Sequence, residues 1–146
     1  MSEELISAYD IRGTKETGLT VECAWNAGKA LADWLPEEGD VVVAYISSQK
    51  VIADGVIEGL RLQGRTVIDA GESEKGFVTS YIVTGGLSGG AIVGFDEMEK
   101  VITIELYKDG GTLIDGETGL KGIRALVEAG NFVPAALRGD LKKISS

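Results

Sequence analysis

Histidine is absent from this 146-residue sequence, and cysteine occurs once, at Cys23. The first absence removes the commonest general base near neutral pH and the commonest transition-metal ligand. The second excludes an internal disulfide. Cys23 falls inside an apolar helical pattern, so its thiol is expected to be buried and inert. Basic residues are also scarce: 14 Lys and Arg stand against 23 Asp and Glu, a net charge of −9. An acidic chain without a basic stripe suits neither nucleic acid nor an anionic membrane. It would repel a phosphorylated ligand unless a local positive pocket were built for it. No apolar run approaches the ~20 residues of a membrane span. The start, Met1-Ser2-Glu3-Glu4, lacks the positive-then-apolar plan of a signal peptide. A cytoplasmic protein is expected. Repeats, low-complexity tracts and dividing linkers are missing too, so residues 1–135 read as one domain, followed by a polar, loosely held tail over 136–146.

What is present is organised around Asp40 to Ala70. Val41–Ile46 is an uncharged, β-branched run, suited to a strand covered on both faces. Val51–Gly64 places Val51, Ile52, Gly55, Val56, Gly59 and Leu60 at mostly helical spacing, and Thr66–Ala70 reads as a second buried strand. A β-α-β unit of this length implies a parallel pair joined by a right-handed crossover. Upstream, Leu5–Gly13 reads as an extended entry segment, and Leu19–Leu35 as a helix capped by Thr20. Downstream, Gly71–Gly76 is a polar turn and Gly85–Gly90 a loop. Ala91–Val93 is a short strand and Val101–Tyr107 a longer one. Asp109-Gly110-Gly111 marks a hairpin turn. Thr112–Ile114 returns as a strand, and Thr118–Ala129 forms a last helix stopped by Gly130. The fold class expected is α/β: a three-layer α/β/α domain with a mixed, mainly parallel sheet.

Four places could carry chemistry. Gly85–Gly90 could cradle a phosphate, although it matches neither the P-loop nor the dinucleotide fingerprint, and the rival reading is a flexible turn. Asp96, Glu97 and Glu99 could hold Mg²⁺ at the carboxyl end of a strand; the rival is a solvated acidic turn beside Lys100. Ser47 and Ser48 open a helix at the end of the central strand, which suits an anion or ordinary capping. Arg12 could clamp a phosphate or pair with a neighbouring carboxylate. No metal site and no cofactor are expected.

Tyr9-Asp10-Ile11-Arg12-Gly13, a helix ending in Trp34-Leu35, Val41-Val42-Val43, Ile57-Glu58-Gly59-Leu60, Val67–Gly71, Ser88-Gly89-Gly90 and Asp109-Gly110-Gly111 follow one another here in an order that resembles the first domain of the α-D-phosphohexomutases. The resemblance covers nearly the whole chain but about a third of a family enzyme. It implies a mixed sheet between helices and a sugar-phosphate ancestry, and it favours helix over strand for Phe77–Thr84, whose residues alone leave both open. The family's catalytic loop reads Thr-Ala/Gly-Ser-His-Asn-Pro-Pro-x-Tyr-Asn-Gly-x-Lys, its serine carrying the transferable phosphate. Counted without a gap from Ser88-Gly89-Gly90, that loop falls on Val93–Glu105. Phe95 then stands at the phosphoserine position, Asp96 at the histidine and Glu105 at the lysine. The Gly-Arg-Asp-x-Arg segment is replaced by Ala44–Ser48.

The resemblance therefore implies a catalytically silent relative. Its expected role is binding, with its own copy or a protein partner as occupant of surface that is interface in the full-length enzymes. The alternative is a sugar-phosphate-binding protein holding a hexose phosphate through Tyr9, Arg12, Ser47, Ser48 and Gly94; any activity would be of the phosphohexomutase type.

Overall fold

The computed structural model describes residues 1, 3–116 and 119–144. Among them the chain forms seven strands and four α-helices. The central strand β2 (Val41–Tyr45) is buried over its first four residues. An uncharged β-branched run of this kind needs cover on both faces, and the layers provide it. Helix α2 (Lys50–Leu62) leads from β2 to β3 (Val67–Gly71), which pairs with it in parallel. Helix α3 (Lys75–Gly85) then carries the chain back across β2 to β4 (Gly89–Asp96), parallel to β2 on its other side.

The rest of the sheet is antiparallel. β5 (Val101–Lys108) folds back along the whole of β4, from Gly89 opposite Lys108 to Asp96 opposite Val101. β1 (Ile11–Gly13) and β6 (Thr112–Leu113) share the outer edge of β5. The sheet order is β1-β5-β4-β2-β3-β7, so the expected mixed sheet is present, parallel on one side of β4 and antiparallel on the other.

Helices α1 (Val21–Trp34), α2 and α4 (Gly119–Ala129) cover one face, with Leu31, Val56, Leu60, Leu120 and Ile123 packed on Val41, Val43, Val93, Ile104 and Leu106. On the opposite face α3 lays Val78 and Ile82 on Val42, Ala44, Ile68 and Tyr107. Local chemistry sets the ends. Thr20 Oγ1 accepts from the Cys23 amide at 3.2 Å and caps α1. Gly86, at φ 62°, takes the left-handed position that closes α3. Cys23 is half-buried, and burial pushes its thiol above the ordinary range. Helices α1 and α2 approach closely because Gly28, Gly55 and Gly59 face the opposing backbone; a Cβ at Gly55 would stand 2.9 Å from the Val21 carbonyl oxygen.

Three sequence expectations need correction. The sequence suggests a loosely held tail over 136–146, but its residues 141–143 are held against the sheet. Leu141–Lys143 forms β7, a parallel edge strand on β3, secured by Val67 N–H to Asp140 O at 2.8 Å and Ile144 N–H to Asp69 O at 2.9 Å. β3 otherwise has an open edge, and its unpaired amides and carbonyls recruit the segment. The loop expected over Gly85–Gly90 shrinks to Gly86–Ser88, because Gly89 and Gly90 belong to β4. That strand also runs on to Asp96 rather than ending at Val93, since the β5 ladder satisfies its backbone throughout. The expected start of the last helix at Thr118 lies outside the described residues.

Candidate functional site

Helices α2 and α3 leave the carboxyl ends of β2 and β3 toward opposite faces of the sheet. A crevice opens where neighbouring connections part in this way. Here it is a cavity of about 570 Å³, walled by Tyr45 and Ile46 at the end of β2, by Glu72, Glu74 and Phe77 after β3, and by Gly94 on β4. Tyr45 donates its hydroxyl to Asp69 Oδ2 at 3.2 Å, and Asp69 also accepts from the Gly71 amide at 2.9 Å. Burial, followed by this bond to Asp69, pushes the Tyr45 phenol above its ordinary range. Ser73 Oγ donates to the Ala70 carbonyl at 2.7 Å.

Gly94 pairs with Thr103, and Thr103 pairs with Arg12, so Arg12, Thr103 and Gly94 form one row across three strands. Steps of about 5 Å separate neighbours in such a row. All three nitrogens of the Arg12 guanidinium are engaged. Nε and Nη2 grip the two oxygens of Asp10 at 2.8 and 2.9 Å, while Nη1 reaches Asp96 at 3.3 Å and Glu99 at 3.4 Å. The Asp10 bond, first among these, raises the guanidinium above its already high value. Asp10 is itself only 4% exposed.

Ser47 forms a short 3-10 turn with Ser48 and Gln49 ahead of α2. The amide and hydroxyl of Ser47 both donate to Glu72 Oε1. A carboxylate from the chain thus sits where an external anion would be held. Ser48 is exposed, and Tyr9 is exposed beyond the edge strand β1. The structure therefore gathers Arg12 and Gly94 in one row and Ser47 beside the crevice, and leaves Tyr9 apart.

Phe95, counted onto the phosphoserine position, lies in β4 opposite Ile102. Asp96 ends that strand and accepts from the amides of Met98 at 2.9 Å and Glu99 at 3.1 Å, organising a four-residue turn in which Lys100 takes φ 58°. Glu105 receives the Tyr107 hydroxyl at 3.2 Å and pairs with Lys75 at 3.8 Å. Among the described residues no group of three or more His, Cys, Asp or Glu is arranged to hold a metal ion. None of their helices is long and apolar enough to cross a membrane.

Sequence reasoning missed Tyr45, Asp69, Glu72, Ser73 and Phe77 as a group. The signal was there: they lie toward the ends of two consecutive parallel strands or after them, and carboxyl ends of such strands are where open α/β sheets bind.

The architecture is that of an open α/β domain with its crevice at a switch in strand order, and comparison with known proteins places it further. The chain is 30% identical over 152 aligned positions to a phosphomannomutase of Vibrio cholerae, and 31% identical over 145 to one of Salmonella typhimurium. Each match covers 94% of this chain, which spans 31% of the length of either relative. A phosphomannomutase of Klebsiella pneumoniae is 30% identical over 149 positions, covering 94% of this chain and 90% of that one. The chain belongs to the phosphomannomutase family. A crystal structure of a phosphoglucomutase/phosphomannomutase family protein from Burkholderia thailandensis shares the fold, with a TM-score of 0.74 at 19% identity, over 99% of this chain and 33% of that one. No model of a known protein family matches the sequence. The match to the Vibrio relative is longer than the 146-residue chain itself, so this chain lacks residues present there.

Proposed function

We propose that this chain is a phosphomannomutase-family domain that binds rather than transfers, a non-catalytic binding or assembly module working in the cytoplasm with a protein partner or its own copy. The observation that carries the reading is the β4–β5 hairpin. The stretch counted onto the family's phosphoserine loop consists of laddered strand, a four-residue turn and laddered strand again. No serine occurs between Ser88 and Ser145, which supports the reading. Ser88 itself precedes β4, where its hydroxyl donates to the Glu37 carbonyl at 2.7 Å. Exposed apolar side chains support association: Met98 at the tip of the turn is 94% exposed, and Val133 and Leu137 are nearly as open.

The test is phosphorus NMR of the chain incubated with glucose 1-phosphate or mannose 1-phosphate and a hexose bisphosphate. No conversion to the 6-phosphate is expected, and turnover above the no-protein control would overturn the reading. Light scattering at micromolar concentration is expected to show a dimer, or a monomer that becomes a complex when its partner is supplied.

A second reading, a sugar-phosphate-binding subunit in phosphomannomutase/phosphoglucomutase-type carbohydrate metabolism, draws on the Arg12–Thr103–Gly94 row. The charges at Arg12 count against it, because three carboxylates already surround the one cation. Chemical shifts at Arg12, Ser48 and Gly94 on adding glucose 1-phosphate, abolished by Arg12→Ala, would favour it.

A further inference from the structure

The polar side chains that line the cavity at the carboxyl ends of the parallel strands, Tyr45, Glu72, Ser73 and Glu74, can all accept hydrogen bonds. Three hydroxyls lie at or beside it, and each spends its proton within the protein: Tyr45 on Asp69, Ser73 on the Ala70 carbonyl, Ser47 on Glu72. Each of these oxygens keeps lone pairs that can accept a further bond. Glu72 and Glu74 add carboxylate oxygens. Glu74 immediately precedes α3, and its side chain makes no hydrogen bond to cap the helix. Behind Tyr45, Asp69 is 7% exposed; among the described residues it makes no direct ion pair, and the charge of Lys50 acts on it from further off. The nearby lysines are committed elsewhere, Lys50 to Asp54 at 3.0 Å and Lys75 to Glu105 at 3.8 Å. Apolar walls complete the cavity. Phe77, stacked on Tyr81 with ring centroids 5.8 Å apart, presents an aromatic surface, and Ile46 and Ile92 flank it.

Several acceptors around an aromatic ring match one chemical group best: a planar cation with many donors. Guanidinium stacks on aromatic faces and offers five N–H groups in a fixed fork, whereas an ammonium is a compact, strongly hydrated point charge. We propose that this cavity takes the guanidinium of an arginine on an extended segment of a partner protein. A free amino acid would bring its own carboxylate among Glu72 and Glu74, and a chain-internal arginine brings none. Exposed Ile46 at the rim gives apolar surface to the residues beside that arginine. The inference rests on the binding-module reading and names the partner chemistry for it. At about 570 Å³ the cavity falls within the usual range for ligand sites.

The test is an amide-resolved NMR titration of the whole chain with acetyl-Gly-Arg-Gly-amide, with the same peptide carrying citrulline, and with free arginine. Shifts at Ile46, Ser73, Phe77 and Gly94 are expected with the arginine peptide. Affinity is expected to drop about tenfold or more for citrulline, and similarly in Glu74→Gln, since each change removes a charge-assisted hydrogen bond. Among the described residues the Glu74 side chain makes no capping bond to α3, so the variant should keep the parent spectrum elsewhere. Equal response to citrulline, tighter binding of free arginine, an unaffected Glu74→Gln, or no shifts at millimolar peptide would each overturn the proposal. Hexose-phosphate turnover in the same sample would instead overturn the binding-module reading, so the two failures are distinguishable.

Discussion

Arg12 and Asp10 face each other as a two-pronged pair, Nε to Oδ1 at 2.8 Å and Nη2 to Oδ2 at 2.9 Å, with the carboxylate buried under the edge of the sheet. Removing one partner of such a pair leaves the other charge desolvated without compensation. Arg12→Ala is therefore expected to lower stability by about 2 kcal/mol, less than for a fully buried pair because the guanidinium still meets solvent. Urea denaturation checks this, and a variant as stable as the parent would refute it.

The second expectation concerns acid. The amide of Glu99, then that of Met98 and the charge of Arg12, hold the Asp96 carboxyl below its usual range. A group depressed in the folded state contributes stability above its unfolded pKa, near 3.9 for Asp, and loses it as pH falls toward the folded value. Asp96→Asn should flatten the decline of melting temperature between about pH 5 and pH 3. Parallel curves for parent and variant would dismiss the linkage.

Where α1 crosses α2, Gly59→Ala pits two effects against each other. Alanine favours helix by about 1 kcal/mol over glycine. Its Cβ, however, would collide with the Trp25 carbonyl oxygen and approach the Lys29 amide to 2.9 Å. Overpacking costs about 1–3 kcal/mol, and more when backbone must move, so a net loss is expected by urea denaturation.

Arg65 gathers the end of α1. It donates to the carbonyls of Ala32, Leu35, Glu37 and Gly39 and to Ser88 Oγ. Among these are carbonyls that a helix leaves unpaired at its last turn. Arg65→Ala should cost about 2–3 kcal/mol. Arg65→Lys should recover less than half of it, because an ammonium cannot span the same fork. Full recovery by lysine would show that charge alone matters.

The parallel core was legible because β2 and β3 are short, buried and β-branched, and because Thr20 and Gly130 mark helix ends by chemistry that tertiary contacts do not override. Helix α3 was harder. Val78, Thr79, Val83 and Thr84 prefer strand by propensity, yet Val78 and Ile82 stand four apart and bury against the sheet, and packing decides. β7 was illegible, since Leu141-Lys142-Lys143 carries no alternation and becomes a strand only by pairing with β3. At the site, Arg12 reads from the sequence as a cation with two uses, a phosphate clamp or a partner for a carboxylate, and in the fold it meets carboxylates. Its partner Asp96 lies 84 residues further along and meets it only after β1 and β4 have both paired with β5. Such a neutralisation cannot be read from a linear string.

The pairing of Val67 with Leu141 has a consequence for how the molecule is made. During synthesis β3 emerges long before β7, so its outer edge stands open while α3, the β4–β5 hairpin and α4 are being added. An open edge beside a buried apolar strand is a template for other nascent chains. The strand that eventually closes it is only three residues long and carries two lysines, which blunt the new edge it creates. The most vulnerable period for this protein therefore falls between the appearance of β3 and the arrival of β7, when a chaperone would have most to protect.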